Sequence, residues 1–162
     1  MKAFAALFSA LVLGCLCAAP TASATRPFRD FVPNADTVIS GVCSFEVELH
    51  VIQNNEYALV FDDGHVIVTG LLTVRLTNLS DPTKSIVLNI SGPGTFTPTA
   101  DGGLVLSADG PWLFFFMADD LYSGSPAIFV FSRGHSTLSF DGSGTGTFTP
   151  ARNSTDICAA LS

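Results

Sequence analysis

The chain has 162 residues, in which 7 Lys and Arg side chains are outnumbered by 14 Asp and Glu, so the formal charge is −7. No cluster of basic residues could neutralise several phosphates, which argues against nucleic acid or an anionic membrane surface as a partner. The length suits one domain with a substantial core.

The N-terminal residues 1–24 have the pattern of a secretory signal peptide. Lys2 precedes an apolar run over 3–19, and the small residues Ala22-Ser23-Ala24 follow. Because the run is short for a membrane span and leads into a peptidase-type site, we predict cleavage after Ala24 and a secreted protein with no remaining span. The sequence VLGC ending at Cys15 leaves an alternative, a lipid anchor attached to Cys15.

Two cysteines, Cys43 and Cys158, remain after the predicted signal peptide. In an oxidising compartment two surviving cysteines allow one pairing, so we predict a Cys43–Cys158 disulfide. Such a bridge would close most of the domain into one loop and would stabilise it by about 4 to 5 kcal/mol in the chain-entropy model.

After an irregular stretch over 25–36, which we interpret as a flexible leader, the rest of the chain (37–162) has the pattern of a single β-domain. In CSFEVELHV, beginning at Cys43, apolar and polar residues alternate as in a half-buried strand. The same period runs through residues 65–78, where Gly70 interrupts it and predicts a bend or a bulge.

The remaining segments indicate an all-β, antiparallel fold. No window has the period of a long amphipathic helix, and Asp-Gly pairs typical of tight hairpin turns separate short apolar segments. We expect an up-and-down barrel of about 8 to 10 strands, because long strands interrupted by glycine can turn barrel corners. A two-sheet β-sandwich is the alternative.

An octapeptide occurs twice, as SGPGTFTP over 91–98 and as SGTGTFTP over 143–150. A phosphate-binding loop would lead into a helix, whereas both copies run into a strand-like Thr-Phe-Thr-Pro. We therefore interpret the repeat as structural, with Phe96 and Phe148 facing the core and each proline ending a strand.

The segment PWLFFFMADD, beginning at Pro111, lacks the polar face of a half-exposed strand. Either both of its faces are covered, as in a central strand, or one face lines an apolar cavity or a contact patch. On the second interpretation Trp112, Phe114 and Phe116 are the candidate residues of an apolar pocket or patch.

We find no signature of catalysis, and we predict no catalytic residue, no metal site and no cofactor. The chain has no nucleophile elbow and no zinc-binding pattern, and its Asp-rich segments lack the ligand spacing of a calcium loop. A pocket assembled from distant strands would escape such a search, and His50, Glu46 or Arg75 could contribute to one.

The signal peptide, Cys43 near the first strand, the glycine-rich SGPG and the closing DICAAL together resemble small secreted β-rich proteins of actinomycetes. That group has no established function. The resemblance implies export, an all-β fold and the Cys43–Cys158 bridge, and it implies no functional residue.

These observations lead us to expect a secreted, non-enzymatic β-domain that acts by binding. Its partner would be a small apolar molecule or an extracellular protein. The alternatives are an enzyme with a pocket that the sequence does not reveal, and a structural component of the cell envelope.

Overall fold

The structure, a computed structural model, describes residues 26–162 as an antiparallel all-β protein with one short helix. Its elements are β1 (Phe28–Phe31), β2 (Thr37–Ile39), β3 (Val47–Asn54), β4 (Tyr57–Val60), β5 (Val66–Thr69), β6 (Leu72–Asn78), β7 (Ser85–Asn89), β8 (Gly94–Pro98), β9 (Leu104–Ala108), β10 (Pro111–Phe116), β11 (Ile128–Arg133), β12 (Ser136–Phe140), β13 (Gly146–Thr149), β14 (Asn153–Asp156) and α1 (Ile157–Ala160).

The strands of the described region form three sheets, here called A, B and C. Sheet A has seven strands in the order β1-β4-β5-β8-β9-β12-β13, sheet B has four in the order β2-β3-β6-β7, and sheet C has three in the order β10-β11-β14. Four consecutive strand pairs, β1 and β2, β3 and β4, β5 and β6, and β7 and β8, each connect A with B. Sheet B and the first four strands of sheet A, β1-β4-β5-β8, are therefore two arms of one bent, four-stranded ribbon, and β9, β12 and β13 extend the arm of sheet A.

The bend, here called the corner, consists of residues 32–36, 55–56, 70–71 and 90–93, where the chain passes between the two sheets. The backbone N–H of Asn55 donates to the carbonyl of Leu71 at 2.7 Å. This hydrogen bond joins two neighbouring crossings, the segments that pass from one sheet to the other. At the bend predicted for Gly70, φ is +131°, and an added Cβ would lie 2.4 Å from the carbonyl oxygen of Asn55. Glycine is required there, since a side chain would force the crossings apart.

Sheet C lies between the two arms of the ribbon. On one face of β10, Phe114 packs against Leu106 and Ala108 of sheet A. On the other face, Leu113 packs against the cluster that contains Val74 and Leu76 of sheet B. The all-apolar sequence of β10 therefore fits a strand with apolar contacts on both faces, although Phe115 remains exposed.

The predicted all-β class is confirmed, but the predicted up-and-down barrel is wrong, because none of the three sheets closes on itself. The alternative of packed sheets is closer to the observed arrangement. The glycine bend at Gly70 does turn a corner, as expected, but it carries the strand into another sheet. Sheet C fills the space between the two arms, so the apolar side chains are buried between packed sheets and not inside a closed barrel.

Strand β1 (Phe28–Phe31) pairs with β4. It lies within residues 25–36, the stretch predicted from the sequence to be a flexible leader. The side chain of Phe28 is 66% exposed, so this edge strand is held by backbone hydrogen bonds with little apolar burial. That combination explains why its sequence lacks a strand-like alternation.

The two octapeptide copies lie in equivalent places in sheet A. Phe96 of β8 pairs with Leu106, Leu106 pairs with Leu138, and Leu138 pairs with Phe148 of β13. The copies thus flank a pair of central strands symmetrically, and both phenylalanines pack in the core as predicted. The repeat is structural in this arrangement.

The predicted disulfide between Cys43 and Cys158 is confirmed. It attaches α1 to the segment before β3, at the end of sheet B that lies away from the corner. Four apolar side chains there, Val47, Leu76, Ile157 and Leu161, are fully buried. We call this region the packed end.

Candidate functional site

A cavity of about 290 Å³ lies on the inner side of the corner, where the three sheets meet. We call it the corner cavity. Its lining residues are Val68 and Phe96 of sheet A, Leu49, Val51, Leu72 and Val74 of sheet B, Trp112, Leu113 and Phe115 of β10, and Val32, Asn34, Glu56 and Ile90 at the corner. The lining is apolar except for the side chains of Asn34 and Glu56.

The three candidate pocket residues of β10 share one face, where the rings of Trp112 and Phe114 stack with centroids 5.8 Å apart, but only Trp112 lines the corner cavity. Trp112 lines the corner cavity, and its ring N–H donates to the carbonyl of Pro93 at 3.3 Å. Phe114 and Phe116 lie instead against Phe148, with ring centroids 4.8 and 5.2 Å apart, in the core between sheets A and C. Leu113 and Phe115, on the opposite face of β10 from Trp112, also line the cavity, which therefore extends around this edge strand of sheet C.

The space for the Trp112 ring is created by the first octapeptide. A Cβ on Gly92 would lie 2.4 Å from Cδ1 of the indole, and a Cβ on Gly94 would lie 2.3 Å from Cζ2. At the equivalent position of the second copy, a Cβ on Gly146 would lie 2.6 Å from Cε1 of Phe140. Both copies thus place a glycine under an aromatic ring, but only the Trp112 ring borders the cavity.

Glu56 is the buried acidic group of the cavity, with 7% of its surface exposed. Its backbone N–H donates to Oδ1 of Asn54 at 2.9 Å, and its carbonyl accepts from the N–H of Val32 at 3.1 Å. The Asn34 amide donates to Oε2 of the carboxyl group at 3.1 Å. The main chain is thus fixed on both sides, while the carboxyl group has an uncharged partner.

A β-bulge directs the Glu56 side chain inward. The pairing of β3 with β6 shifts between Val51 and Gln53, so that Ile52 is an extra residue. Before the bulge the odd-numbered residues Leu49 and Val51 face the interior; after it the even-numbered ones do, as the pairing of Ala58 with Val68 shows. A bulge of this kind re-aims the side chains that follow it.

Burial raises the pKa of the Glu56 carboxyl group above its ordinary value, and the hydrogen bond from Asn34 partly offsets this effect. Among residues 26–162 no Lys, Arg or His forms a salt bridge with Glu56. Glu56 also lines a second depression, here called the outer depression, together with Arg29 and Asp30. The Arg29 guanidinium lies 3.7 Å from the centre of the Tyr57 ring.

Residues 32–36, here called the strap, cross the cavity between β1 and β2. Asn54 donates from its side chain to the Val32 carbonyl at 2.8 Å. At the other end Oδ1 of Asp36 accepts from the N–H of Val51 at 2.7 Å, and Oδ2 lies 2.7 Å from Nδ1 of His50. The Val51 and His50 contacts lower the pKa of Asp36. The strap therefore closes one side of the cavity through polar contacts.

The three residues considered for a hidden catalytic pocket lie outside the corner cavity. His50 and Arg75 are opposite each other in the pairing of β3 with β6, on the face turned away from Leu49 and Val51. Glu46 accepts a hydrogen bond from the Ser40 hydroxyl. Glu56 is not predicted as a site residue from the sequence, because an uninterrupted alternation places it on the solvent face with Glu46 and Glu48.

The acidic turns are accounted for by local hydrogen bonds. Oδ1 of Asp63 accepts from the N–H of His65, and Oδ2 of Asp120 accepts from the N–H of Met117. No group of three or more His, Cys, Asp or Glu residues within 26–162 is arranged to hold a metal ion. In the same residues we find no helix with the length and apolar character needed to cross a bilayer.

The predicted signal peptide and the alternative lipid site at Cys15 lie outside the described residues. A disulfide such as Cys43–Cys158 is typical of oxidising, extracytoplasmic environments. Comparisons with protein-family models, curated proteins and solved structures found no match to this chain.

Proposed function

We propose that the protein is exported and binds a small, mainly apolar molecule in the corner cavity. The observation that carries this proposal is the cavity itself, about 290 Å³, partly open to solvent and lined by side chains from all three sheets. This volume is near the lower limit of about 300 Å³ for ligand pockets, so the cavity accommodates a compact ligand.

The composition of the walls supports the same function. Valine, leucine and phenylalanine side chains from sheets A, B and β10 offer no hydrogen bonds, so water in the cavity is poorly held. An apolar ligand would displace that water and gain contacts on several sides. Phe115, which is 44% exposed, marks a side from which the cavity can be reached.

The sole tryptophan of the chain, Trp112, provides the signal for a direct test. Hexanol, octanol and decanol are titrated into the protein while Trp112 emission is followed. We expect a saturable shift in the emission and tighter binding as the chain lengthens, up to the size that the cavity accepts. An emission that does not respond to any of the three alcohols would contradict the proposal.

A matched pair of variants separates the cavity from the protein surface. Val68→Phe places a ring in the cavity from β5, whereas Ile67→Phe places one on the opposite face of the same strand. We expect Val68→Phe to abolish alcohol binding and Ile67→Phe to preserve it. Equal binding by both variants would locate the alcohol elsewhere and refute the proposed site.

A further inference from the structure

The carboxyl group of Glu56 sits where a ligand in the corner cavity would place one end. Glu56 lines both the corner cavity and the outer depression with Arg29, Asp30 and Tyr57, and its Oε2 accepts from Asn34, which also lines the cavity. The site has a polar end and an apolar body.

Glu56 is held in place more firmly than a surface carboxylate. The Asn54 side chain bonds both to the Glu56 N–H and to the Val32 carbonyl, and Val32 in turn bonds to the Glu56 carbonyl. Gly70 lies tightly against Asn55 and so holds the segment 55–56 in place from the side opposite to Val32. The carboxyl group is thus preorganised, which lowers the cost of ordering it on binding.

The charge of Glu56 lacks a cationic partner within the described residues. The Asn34 amide supplies one hydrogen bond to Oε2, and the three salt bridges found in residues 26–162 all lie elsewhere. A buried carboxylate is costly unless an opposite charge and further hydrogen-bond donors accompany it. An ammonium group provides both, with three donors and a positive charge.

We propose that the corner cavity selects amphipathic amines, with the ammonium group on the Glu56 carboxylate and the apolar body against Val68, Val74 and Trp112. This inference rests on the proposed function, since it specifies the ligand class of the same cavity. Alcohols of the same length fill the cavity but supply one donor and no charge. Carboxylates of the same length are repelled by Glu56.

Octylamine, octanol and octanoate test this selectivity at neutral pH, each below its aggregation concentration. We expect the order octylamine, octanol, octanoate, with octylamine binding about tenfold more tightly than octanol or better, the ratio that about 1.4 kcal/mol of charge-assisted bonding provides. Binding is measured by calorimetry and by Trp112 emission. Because protonation of Glu56 removes the attraction, octylamine binding should weaken as the pH falls through the raised pKa of that group.

Glu56→Gln separates charge from shape. The variant keeps an acceptor oxygen but loses the charge, so the preference for octylamine over octanol should disappear. The matched control is Glu48→Gln, which removes the same charge from an exposed position on the outer face of β3. If Glu48→Gln reduced octylamine binding as strongly, attraction by overall negative charge would explain the preference and the inference would be wrong.

The outcomes distinguish the two proposals. If octanol and octylamine bind equally, Glu56→Gln changes neither, and Val68→Phe abolishes both, the cavity binds apolar molecules but the inferred amine selectivity is refuted. If none of the three compounds binds, the proposed function fails together with the inference. If octylamine is preferred and the preference requires Glu56, both are supported.

Discussion

The packed end and the corner cavity lie at opposite ends of sheet B, and their buried polar groups have different hydrogen-bond partners. At the packed end the buried amide of Asn78 donates to the Leu161 carbonyl at 3.0 Å, and its oxygen accepts from the N–H groups of Ser80 and Asp81. At the corner the buried carboxyl group of Glu56 receives one amide hydrogen bond from Asn34.

The difference indicates what each region contributes. Asn78 has its hydrogen bonds supplied by the fold, as expected of a buried polar group that stabilises a structure. Glu56 keeps a charge whose burial the fold does not compensate with a cation among the described residues. The packed end thus has a buried polar group whose hydrogen bonds the fold supplies, whereas the corner has a buried carboxyl group with one amide partner.

The largest effect should come from removing the disulfide of the packed end. The double variant Cys43→Ser, Cys158→Ser opens a loop with a sequence separation of 115. We expect the free energy of unfolding to fall by about 4 kcal/mol, because the unfolded chain regains the freedom that the bridge removes. Urea denaturation measures the change.

The wild-type protein unfolded in the presence of a reductant is the control for this prediction and should match the double variant. Octanol binding at the corner should survive under conditions where the variant remains folded. A loss below about 1 kcal/mol would show that the packed end does not depend on the bridge, since native disulfides in small domains are typically worth at least about 2 kcal/mol.

The next effect concerns the wall of the cavity. Gly94→Ala places a methyl group 2.3 Å from the Trp112 ring, which must move. Overpacking of this kind costs about 1 to 3 kcal/mol. The equivalent change in the second repeat, Gly146→Ala, crowds Phe140 instead. We expect both variants to be destabilised, but only Gly94→Ala should shift Trp112 emission. Equal shifts would contradict the assigned environments.

Several parts of this fold follow directly from local sequence. The alternation after Cys43 predicted a strand, and the interruption at Gly70 predicted a bend. The apolar sequence of β10 predicted a strand with apolar contacts on both faces, because such contacts impose this pattern. The disulfide prediction followed from the predicted export and the two cysteines outside the predicted signal peptide. Each of these predictions depends on neighbouring residues or on simple pairing.

The open arrangement and the acidic cavity could not be predicted in the same way. Barrel closure would need pairing between the edge strands β1 and β13, and no local pattern specifies whether distant edges meet. The direction of Glu56 depends on the extra residue Ile52, whose apolar side chain fits a regular strand equally well. A bulge reverses the face of the sheet to which each later side chain points, until the next irregularity in the strand.

A smaller, pH-dependent effect should follow from Glu56→Gln without ligand. Because the folded-state pKa of Glu56 is raised, stability is greatest when the group is protonated and decreases as the pH rises from the ordinary value of 4.5 through the raised pKa. The glutamine variant should lack this decrease. Thermal unfolding of both proteins across mildly acidic pH measures the difference, which should vanish at strongly acidic pH. A constant difference at all pH values would contradict burial of an ionisable group.

The smallest effect concerns the strap at the mouth of the cavity. Asp36→Asn weakens the acceptor for the Val51 N–H and removes the charge beside His50. We expect faster hydrogen exchange of the Val51 amide with little change in overall stability, since Asp36 is exposed and only the strap depends on it. The pKa of Asp36 is lowered in the folded protein, so its contribution is present above the ordinary value of 3.8 and is lost as the pH falls through the folded pKa. Asp63→Asn is the control, because that carboxyl group has a similarly lowered pKa in a turn that does not contact the strap. Unchanged exchange at Val51 in Asp36→Asn, or equal acceleration in both variants, would show that the strap is held by its contacts at Val32 and Asn34 alone.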